Sequence, residues 1–509
     1  MEGNFGKALG VLIIALGLIV MYELVYPYVP TLHQFEPSHF WTGYDSTLSD
    51  TSQLEIDTSF LVEYPDTLQT DSSDFNLSDS AMTAEDSLSY ILEDSLVFSK
   101  EDSLLMADLE HFTGIQNLEA FFQKLKELRA GTRKRVRIAY YGDSTTEGDL
   151  IVSDLRNMLQ LLFGGRGVGF VSIAPHGTSF RRTIRHWHSE NWKMVNYFRK
   201  VQNAAFSFGI SGDYSTALGK AMNRSYKARF EPSRMNYPSM NSHFDQVFFY
   251  YGNGLRDSLA KPATLYTTID GGDTLRFELN GQKAVNQIVL TQNACAKVDI
   301  AVDFPQPFPI YGLSFESETG LLVDNFAKRN DSGSHLGRIS AAVLSGFYND
   351  MGCDLIILHY GANVLHNRTD YSYYEGILIN GIRHFQQNMQ GVPVLVLGST
   401  DRVAKLGGKE KTTPAVYGLI KSQKSAAART RNAFCDLFKG MGGDGTMLKW
   451  AKENPPLVAP DYVHFNQRGG QKIAKIVYDY LINGYEAYIS GRPSVYPGML
   501  ESYRRSQLK

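Results

Sequence analysis

Two amphipathic helices flank a buried strand early in the folded part of the chain. Within 112–129, and again within 151–162, apolar residues recur every three or four positions, which is the period of a helix. An apolar run at 137–141 predicts a strand between them. The helices are marked by Leu118, Phe121, Phe122, Leu125 and Leu128, and by Ile151, Leu155, Met158, Leu159 and Leu162. Ser144 thus lies between a strand and a helix, where α/β folds place reactive groups.

A longer alternation of strands and helices begins near residue 320. The predicted strands are 321–326, 354–360 and 392–397, and the predicted helices are 335–348 and 371–389. Strands that alternate with helices pair in a parallel sheet, and the helices cover its faces. We therefore predict one α/β domain composed of 111–177 and 319–485, followed by a C-terminal tail at 486–509.

The stretch between these two parts, 178–318, has a different pattern. Short alternating or β-branched runs are separated by turns rich in Gly, Asn, Asp and Pro, which is typical of antiparallel β structure. The runs are 246–251, 265–269, 274–279, 284–290 and 298–302. This pattern predicts an all-β insertion, a sandwich, that splits the α/β domain after its first strand and helix.

The N-terminal region carries an apolar segment followed by an acidic one. Residues 8–28 are almost wholly apolar and about long enough to span a bilayer. No small-residue cleavage site follows, which favours an uncleaved transmembrane anchor at 1–30 over a removed signal peptide. Residues 44–106 hold fifteen acidic residues against one lysine. Such a charge excess opposes collapse and predicts a disordered tether at 31–110.

Charge and cysteine content narrow the classes of function. The whole chain has a net charge of −3, of which residues 1–43 contribute −2 and residues 44–106 contribute −14, so residues 107–509 carry +13. A basic domain suits a polyanionic partner, but the excess equally fits a solvated face without function, and the anchor argues against nucleic acid. Three scattered cysteines suit neither a disulfide scaffold nor a metal site. The chain also lacks the Gly-x-Ser-x-Gly, His-Glu-x-x-His and P-loop motifs.

Ser144, His464 and Asp461 supply the residue types of a serine nucleophile and its acid-base pair. A serine hydroxyl needs a histidine to remove its proton, and the histidine needs a carboxylate to fix its tautomer. Asp461 and His464 are three residues apart before a predicted helix at 469–482, so one loop holds both. The fold need only bring that loop to the end of the first strand.

A tetrahedral intermediate also needs preorganised hydrogen-bond donors. Asn363 follows the strand at 354–360 and offers a side-chain amide, and the backbone amide of Ser144 offers a second donor. Gly333 is preferred for a third, because it follows a predicted parallel strand and precedes Asn363 by thirty residues, about one βαβ unit. Asn330, in the same loop, and Gly212, at the start of the insertion, are the alternatives.

These clusters resemble the block motifs of the SGNH (GDSL-type) hydrolase superfamily. The matching positions are Gly142-Asp143-Ser144 for the first block, Gly333 for the second, Gly361-Ala362-Asn363 for the third, and Asp461 with His464 for the last. Residues 142–170 and 461–474 are most similar to periplasmic peptidoglycan O-acetylesterases and their O-acetyltransferase relatives. Those proteins carry a β-sandwich, carbohydrate-binding-like insertion between the first and second blocks.

The resemblance implies a three-layer, flavodoxin-like α/β fold and a metal-free, cofactor-free reaction. Ser144 would form an acyl-enzyme with an acetyl group from a cell-envelope glycan, and water or a sugar hydroxyl would accept the acetyl. The first outcome defines an O-acetylesterase, and the second an O-acyltransferase of the same machinery. Val364 departs from the pattern, since many members have an acidic residue there, and this weakens the transfer of finer active-site detail.

The predicted anchor, the tether and this resemblance together set expectations for location and partners. We expect a single-pass protein of the inner (cytoplasmic) membrane whose catalytic domain lies in the periplasm. Its partners would be an acetylated cell-envelope polysaccharide and a membrane-bound O-acyltransferase. A rival from another class is a catalytically silent, membrane-anchored glycan-binding protein in which the triad is vestigial.

Two groups in the insertion leave their roles open. Trp187, Trp192 and Tyr197 are candidate sugar-stacking platforms, although aromatic residues in a β-sandwich more often belong to its core. His186 and His188 lie near several arginines and would suit a metal or phosphate site. Without a further ligand cluster, a solvated basic loop is the preferred interpretation of the two histidines.

Overall fold

The computed structural model describes residues 109, 111–175, 181–197, 206–217, 225–233, 237, 242–254 and 262–492. The predicted membrane anchor at 1–30 lies outside these residues, as do nearly all of the tether at 31–110 and most of the tail at 486–509. No helix within the described ranges is both long and apolar enough to cross a membrane.

A five-stranded parallel sheet forms the centre of the α/β part. Its strands, numbered with all others in chain order, are β1 (Arg135–Gly142), β13 (Gly320–Asn325), β14 (Leu355–His359), β15 (Val394–Leu397) and β18 (Ala433–Cys435). The order across the sheet is β13-β1-β14-β15-β18, and every neighbouring pair is parallel. This is the flavodoxin-like order, in which the second strand lies on one side of the first and the third on the other.

Helices cover both faces of this sheet. They are α1 (Glu119–Arg129), α2 (Val152–Phe163), α3 (Ala341–Met351), α4 (Ser372–Asn388), α5 (Ala415–Arg429), α6 (Leu437–Met441), α7 (Thr446–Ala451) and α8 (Gln467–Ser490). Side chains of a strand alternate between the two faces. Ile138 and Tyr140 therefore join the core under α1, α2 and α8, while Ala139 and Tyr141 join the core under α3, α4 and α5.

Two antiparallel sheets occupy the insertion. One contains β2 (Gly169–Val171), β4 (Trp192–Asn196), β5 (Asp213–Ala217), β7 (Gln246–Tyr251), β10 (Asn286–Thr291) and β12 (Ile310–Glu316). The other contains β3 (Ile184–His188), β6 (Tyr226–Pro232), β8 (Ala263–Ile269), β9 (Thr274–Leu279) and β11 (Val298–Asp303). A hairpin of β16 (Val403–Leu406) and β17 (Lys409–Thr412) lies apart from both. Apolar residues of the two sheets share one core, as in a β-sandwich.

The strands β5, β7 and β12 of the first sheet of the insertion are buried on both faces. Phe249 of β7 points into the sandwich core, whereas its neighbours Phe248 and Tyr250 pack in the core of the α/β part. The ring centroids of Tyr250 and Phe347 of α3 lie 5.3 Å apart, and those of Tyr311 and Phe347 lie 5.6 Å apart. The insertion is thus joined to the α/β part by a continuous apolar contact and not only by its two chain crossings.

Element boundaries differ from the sequence-based expectation in three places. β2 precedes residue 178 but pairs with β12, so the sheet of the insertion begins before the predicted boundary. The helix expected at 335–348 starts later, at Ala341, because Ser340 caps it by accepting a hydrogen bond from the amide of Val343, and a 3-10 turn at Leu336–Arg338 precedes it. The last helix continues to Ser490, beyond the predicted domain end at 485.

Candidate active site

Ser144 lies at the point where the strand order of the central sheet reverses. It follows β1 directly, and the chain adds β13 on one side of β1 and β14 on the other. Parallel α/β sheets bind their ligands at this position, beyond the carboxyl ends of the strands. The last residue of β1 must be small, because a Cβ at Gly142 would lie 2.4 Å from Oγ1 of Thr146.

Three of the predicted site residues form a continuous hydrogen-bonded chain. Oγ of Ser144 lies 2.9 Å from Nε2 of His464, and Nδ1 of His464 lies 2.7 Å from Oδ2 of Asp461. Ser144 and His464 are 320 residues apart in the sequence, so the tertiary fold alone brings them together. This is the geometry in which a histidine can take a proton from a serine hydroxyl while a carboxylate fixes its tautomer.

The loop before α8 holds the acid-base pair in a fixed shape. The amide of Ala459 donates to the carbonyl of His464 at 2.8 Å, and Asn466 caps the helix by accepting hydrogen bonds from two amides. Oδ1 of Asp461 accepts hydrogen bonds from the amides of Val463 and His464 at 2.9 and 3.0 Å. Asp461 is therefore bonded through both of its oxygens.

These bonds keep Asp461 ionised. Burial disfavours its charged form, but the hydrogen bonds from the His464 side chain and from the two backbone amides outweigh it and lower the pKa of Asp461 to about 2. The carboxylate is then negative at any pH near neutrality. It can stabilise the positive charge that His464 acquires when it accepts a proton.

Asp143 connects the serine loop to the third block. It is buried, and Oδ1 accepts hydrogen bonds from the amide and the hydroxyl of Thr145 at 2.9 and 2.7 Å. Oδ2 lies 3.3 and 3.2 Å from the amides of Gly361 and Ala362. One carboxylate thus fixes the loop after β1 and the loop after β14 against each other.

Asn363 is linked to the loop that follows β13. Its Nδ2 donates to the backbone carbonyl of Asp331 at 3.1 Å. A side-chain amide carries two hydrogens, so this bond leaves Asn363 one hydrogen for another acceptor. Val364 beside it is buried.

Gly333 lies in the same loop with its amide hydrogen already engaged. That amide donates to Oδ1 of Asp331 at 2.9 Å. The residue needs to be glycine, because its φ is +77° and a Cβ would lie 2.7 Å from the ring of Tyr360. Gly333 would have to share or break its bond to Asp331 to donate to an oxyanion, and its assignment stays a prediction, as does that of Asn330, which has a φ of +64°.

Gly212 lies in the insertion, against the residue that holds this loop. Its amide donates to the carbonyl of Gly209 at 2.8 Å, and a Cβ would lie 2.6 Å from the ring of Tyr197. Tyr197 is buried, and its hydroxyl donates to Oδ2 of Asp331 at 2.5 Å. Gly212 therefore contributes to the support of the loop through Tyr197.

The insertion holds the loop after β13 at two further points. Lys328 forms an ion pair with the buried Asp213, and its own amide donates to the carbonyl of Gly142 at 2.9 Å. A guanidinium nitrogen of Arg338 donates to the carbonyl of Tyr197 at 2.6 Å. Sequence reasoning missed these supports, because nothing in local periodicity pairs 197–213 with 328–338. An Asp two residues before a Gly, as at 331–333, is the one local signal that indicates a turn there.

The structure shows which of the aromatic residues and histidines singled out in the insertion are buried and which are exposed. Trp192 and Tyr197 are core residues with exposed fractions of 6% and 0%, whereas Trp187 is 56% exposed. The ring of His186 stacks on Phe230 at 4.3 Å. No group of three or more His, Cys, Asp and Glu in the described part of the chain is arranged to hold a metal ion. All three cysteines are buried.

The fold of this chain can be compared with those of known proteins. No protein-family model and no curated protein sequence matches the chain. A solved structure of a peptidoglycan O-acetylesterase shares the fold, with a TM-score of 0.58 and 20% identity over 72% of this chain and 96% of its own length. The two structures therefore share a fold, which combines an α/β part with further β structure over most of this chain.

Two other solved structures match a smaller share of this chain. A family two carbohydrate esterase from Cellvibrio japonicus is 7% identical and covers 60% of this chain and 99% of its own, with a TM-score of 0.25. A structure of TesA is 16% identical and covers 32% and 78%, with a TM-score of 0.24. TM-scores this low do not establish a shared overall architecture.

Proposed function

We propose that this chain is a serine-dependent O-acetylesterase that removes acetyl groups from a glycan of the cell envelope. The observation that carries the proposal is the hydrogen-bonded chain from Ser144 through His464 to Asp461. The shared fold of a peptidoglycan O-acetylesterase supports an ester of a sugar hydroxyl as the substrate. The positive charge of 107–509 supports a polymeric envelope partner.

The first half of the reaction is acyl transfer to Ser144. Oγ attacks the acetyl carbonyl carbon as its proton passes to Nε2 of His464, and a tetrahedral intermediate forms. The bond to the sugar oxygen then breaks, and His464 returns the proton to that oxygen, so the sugar leaves as an alcohol. In the second half, water repeats these steps on the acyl-enzyme and releases acetate.

The oxyanion of the intermediate needs donors that are in place before the reaction. The second side-chain hydrogen of Asn363 and the backbone amide of Ser144 are the donors proposed here, with a third from the loop at 330–333. A comparable donor contributes about 3 kcal/mol to transition-state stabilisation. Asp143, Asp331 and Tyr197 position these donors and touch no reacting atom.

The sequence supports a proposal for the location of the protein. We propose that residues 8–28 anchor the protein in the cytoplasmic membrane, and that the esterase acts on the outer side of that membrane, where envelope glycans lie. A long acidic tether would let the domain reach the glycan while it stays bound to the membrane.

The test is hydrolysis of a chromogenic acetate ester by the full chain and by Ser144→Ala. We expect the variant to lose turnover by a factor of at least about 10³, because the reaction would lack its nucleophile. Ser490→Ala, at the exposed end of α8, is the matched control and should keep full turnover. Equal rates for wild type and Ser144→Ala would contradict the proposal.

A second arm distinguishes hydrolysis from transfer. Acetate release from an acetylated glycan would be followed with and without an added acceptor glycan. We expect free acetate to account for nearly all of the acetyl lost in both cases. Transfer to the acceptor that outran acetate release would replace the esterase with an O-acyltransferase.

A further inference from the structure

The loop that carries Ser144 contains a strained backbone position. Asp149 lies five residues after the serine, in a 3-10 turn at Glu147–Asp149, and has a φ of +70°. Gly148 beside it has the same φ, which glycine adopts freely, but a residue with a Cβ is disfavoured in this left-handed region. A side chain that is kept at such a position must stabilise the loop through its own contacts.

The carboxylate of Asp149 is buried and accepts hydrogen bonds from three separate parts of the molecule. Oδ2 lies 2.8 Å from Nη1 of Arg156 on α2 and 2.5 Å from Oγ1 of Thr183, which precedes β3 in the insertion. Oδ1 lies 2.8 Å from Nδ2 of Asn325, the last residue of β13. One side chain of the serine loop is therefore bonded to a helix, to the end of a parallel strand and to the insertion.

Two of these partners are themselves fixed to the α/β part. Nε of Arg156 donates to the carbonyl of Val323 at 2.8 Å. Nδ2 of Asn325 donates its other hydrogen to the carbonyl of Thr146 at 3.1 Å, so this side-chain amide uses both of its hydrogens on the serine loop. The loop is thus held through its backbone at Thr146 and through its side chain at Asp149.

The charge of Asp149 also joins the α/β part to the insertion. Nε of Arg181 lies 3.4 Å from Oδ2 of Asp149, and the same guanidinium donates to the carbonyls of Val168 and Phe170 beside β2. Burial disfavours the charged form of Asp149, but the charges of Arg156 and Arg181 outweigh it, so the pKa of Asp149 lies well below its ordinary value. An ionised carboxylate therefore lies between a guanidinium of the α/β part and one of the insertion.

We infer that Asp149 is a positioning residue that fixes the loop of Ser144 and makes the position of the nucleophile depend on the docked insertion. This inference rests on the proposed function, because it concerns the nucleophile of that reaction. A displacement of about 1 Å from the reactive geometry can lower turnover about a hundredfold. Asp143 fixes the start of the loop and Asp149 fixes its end, so Asp149 acts through the backbone between them and not on the ester itself.

The first experiment uses Thr183→Val, which removes one hydrogen bond to Asp149 and keeps its charge. For a chromogenic acetate ester and the full chain, we expect kcat to fall about tenfold and KM to stay within about twofold, because the groups that bind the ester are left in place. Thr267→Val is the matched control, since Thr267 is also buried in the insertion but donates to the carbonyl of Asp299. Its kcat should stay within about twofold of wild type, and equal kcat values for the two variants would overturn the inference.

Asp149→Asn is the larger perturbation and should lower kcat about a hundredfold. Its matched control is Asp354→Asn, because Asp354 is a buried carboxylate that faces Lys124 and Arg133 at the amino end of β14, at the opposite edge of the sheet from Ser144. Removal of one partner from a buried ion pair lowers stability in both variants. A kcat that falls no more in Asp149→Asn than in Asp354→Asn would contradict the inference, and if either variant does not fold, the two threonine variants decide.

Hydrogen exchange separates this inference from the proposed function, because it needs no substrate. The amides of Thr146 and Glu147 donate to the carbonyl of Asp143 at 3.2 and 3.1 Å, and they should exchange at least about tenfold faster in the first threonine variant than in its control. If wild type hydrolyses no ester but these amides respond as expected, the proposed function fails and the role of Asp149 in fixing the loop stands. If exchange within 143–149 is the same in both threonine variants, the inference fails whatever the esterase activity.

Discussion

The α/β part and the β insertion use their buried polar residues in different ways. In the α/β part, polar groups from the ends of β1 and β14 and from the loop before α8 meet around Ser144. The hydrogen bond between Ser144 and His464 would serve the proposed reaction. In the insertion, Tyr197 and Asp213 instead bind the loop after β13. One region would supply the reacting groups, and the other would hold them in place.

This difference shows that a domain can contribute to a site without any catalytic residue. The loop that carries Gly333 and contacts Asn363 begins after Asn325, where β13 ends. No strand pairing therefore fixes this loop. Its geometry depends on Tyr197, which reaches Asp331 from 134 residues away. The insertion would therefore support turnover by fixing this loop, and that contribution can be tested by mutation.

The largest effect is expected for Asp461→Asn, which tests the proposed reacting groups of the α/β part. The amide preserves size but not charge, and it favours the wrong histidine tautomer, so kcat should fall by a factor of about 10²–10⁴ while the structure persists. Turnover of a chromogenic acetate gives the rate, and circular dichroism checks the fold. A loss smaller than about threefold would show that His464 does not depend on this carboxylate.

The two tryptophans of the insertion test its role as a packed domain. Trp192→Ala should lower the free energy of unfolding by about 3–5 kcal/mol, because the ring is buried against Tyr226 and Phe304. Trp187→Ala should change it by less than about 0.5 kcal/mol, since that ring is largely exposed. Urea unfolding measures the free energy of unfolding of both variants. Similar losses in the two variants would contradict the assignment of Trp192 to the sandwich core and of Trp187 to the surface.

The ionisation of Asp461 predicts a pH-dependent stability. Its pKa falls from an ordinary value of 3.8 to about 2 on folding, so it stabilises the native state by about 2 kcal/mol above pH 5. The sign is that of a depressed carboxyl: the contribution is lost as the pH falls toward 2, with about half gone at pH 3. Urea unfolding of wild type and Asp461→Asn at pH 6 and pH 3 isolates this contribution. The same difference in unfolding free energy between the two proteins at both pH values would contradict the prediction.

The smallest expected effect tests the coupling between the two regions. Tyr197→Phe removes the hydroxyl that donates to Asp331 and should lower kcat about tenfold, with KM nearly unchanged, because the loop would lose its fixed position. Tyr311→Phe is the matched control: its buried hydroxyl donates to the carbonyl of Ala284, away from the loop. Both variants should lose about 1 kcal/mol of stability. Equal effects on kcat would leave Tyr197 a purely structural residue.

Much of the fold could be predicted from local pattern. The strands of the central sheet at 321–326 and 354–360 are observed within one residue at each end, as Gly320–Asn325 and Leu355–His359. Buried parallel strands are continuous apolar runs, so their sequence signal is strong. The strands β3 to β6 and β12 are not among the predicted runs, although β6 alternates between buried and more exposed residues and β12 is buried throughout.

The sequence by itself determined which residues could do chemistry. The serine follows a strand, and the Asp-x-x-His spacing builds a carboxylate-imidazole pair within one loop, where three residues suffice to fix both ends. Such features are local, because they depend only on residues that are close together in the sequence.

Only the tertiary structure decided what surrounds that pair. It placed Ser144 against His464, engaged the amide of Gly333 with Asp331, buried Tyr197 beneath the loop and formed a cavity beside Glu147. Apart from the contact between Gly333 and Asp331, these features join residues that are far apart in the sequence, and those at Tyr197 and at the cavity depend on how the insertion packs on the α/β part. Packing depends on how side chains fit together once the chain has folded. The spacing of apolar residues along the sequence does not indicate that fit.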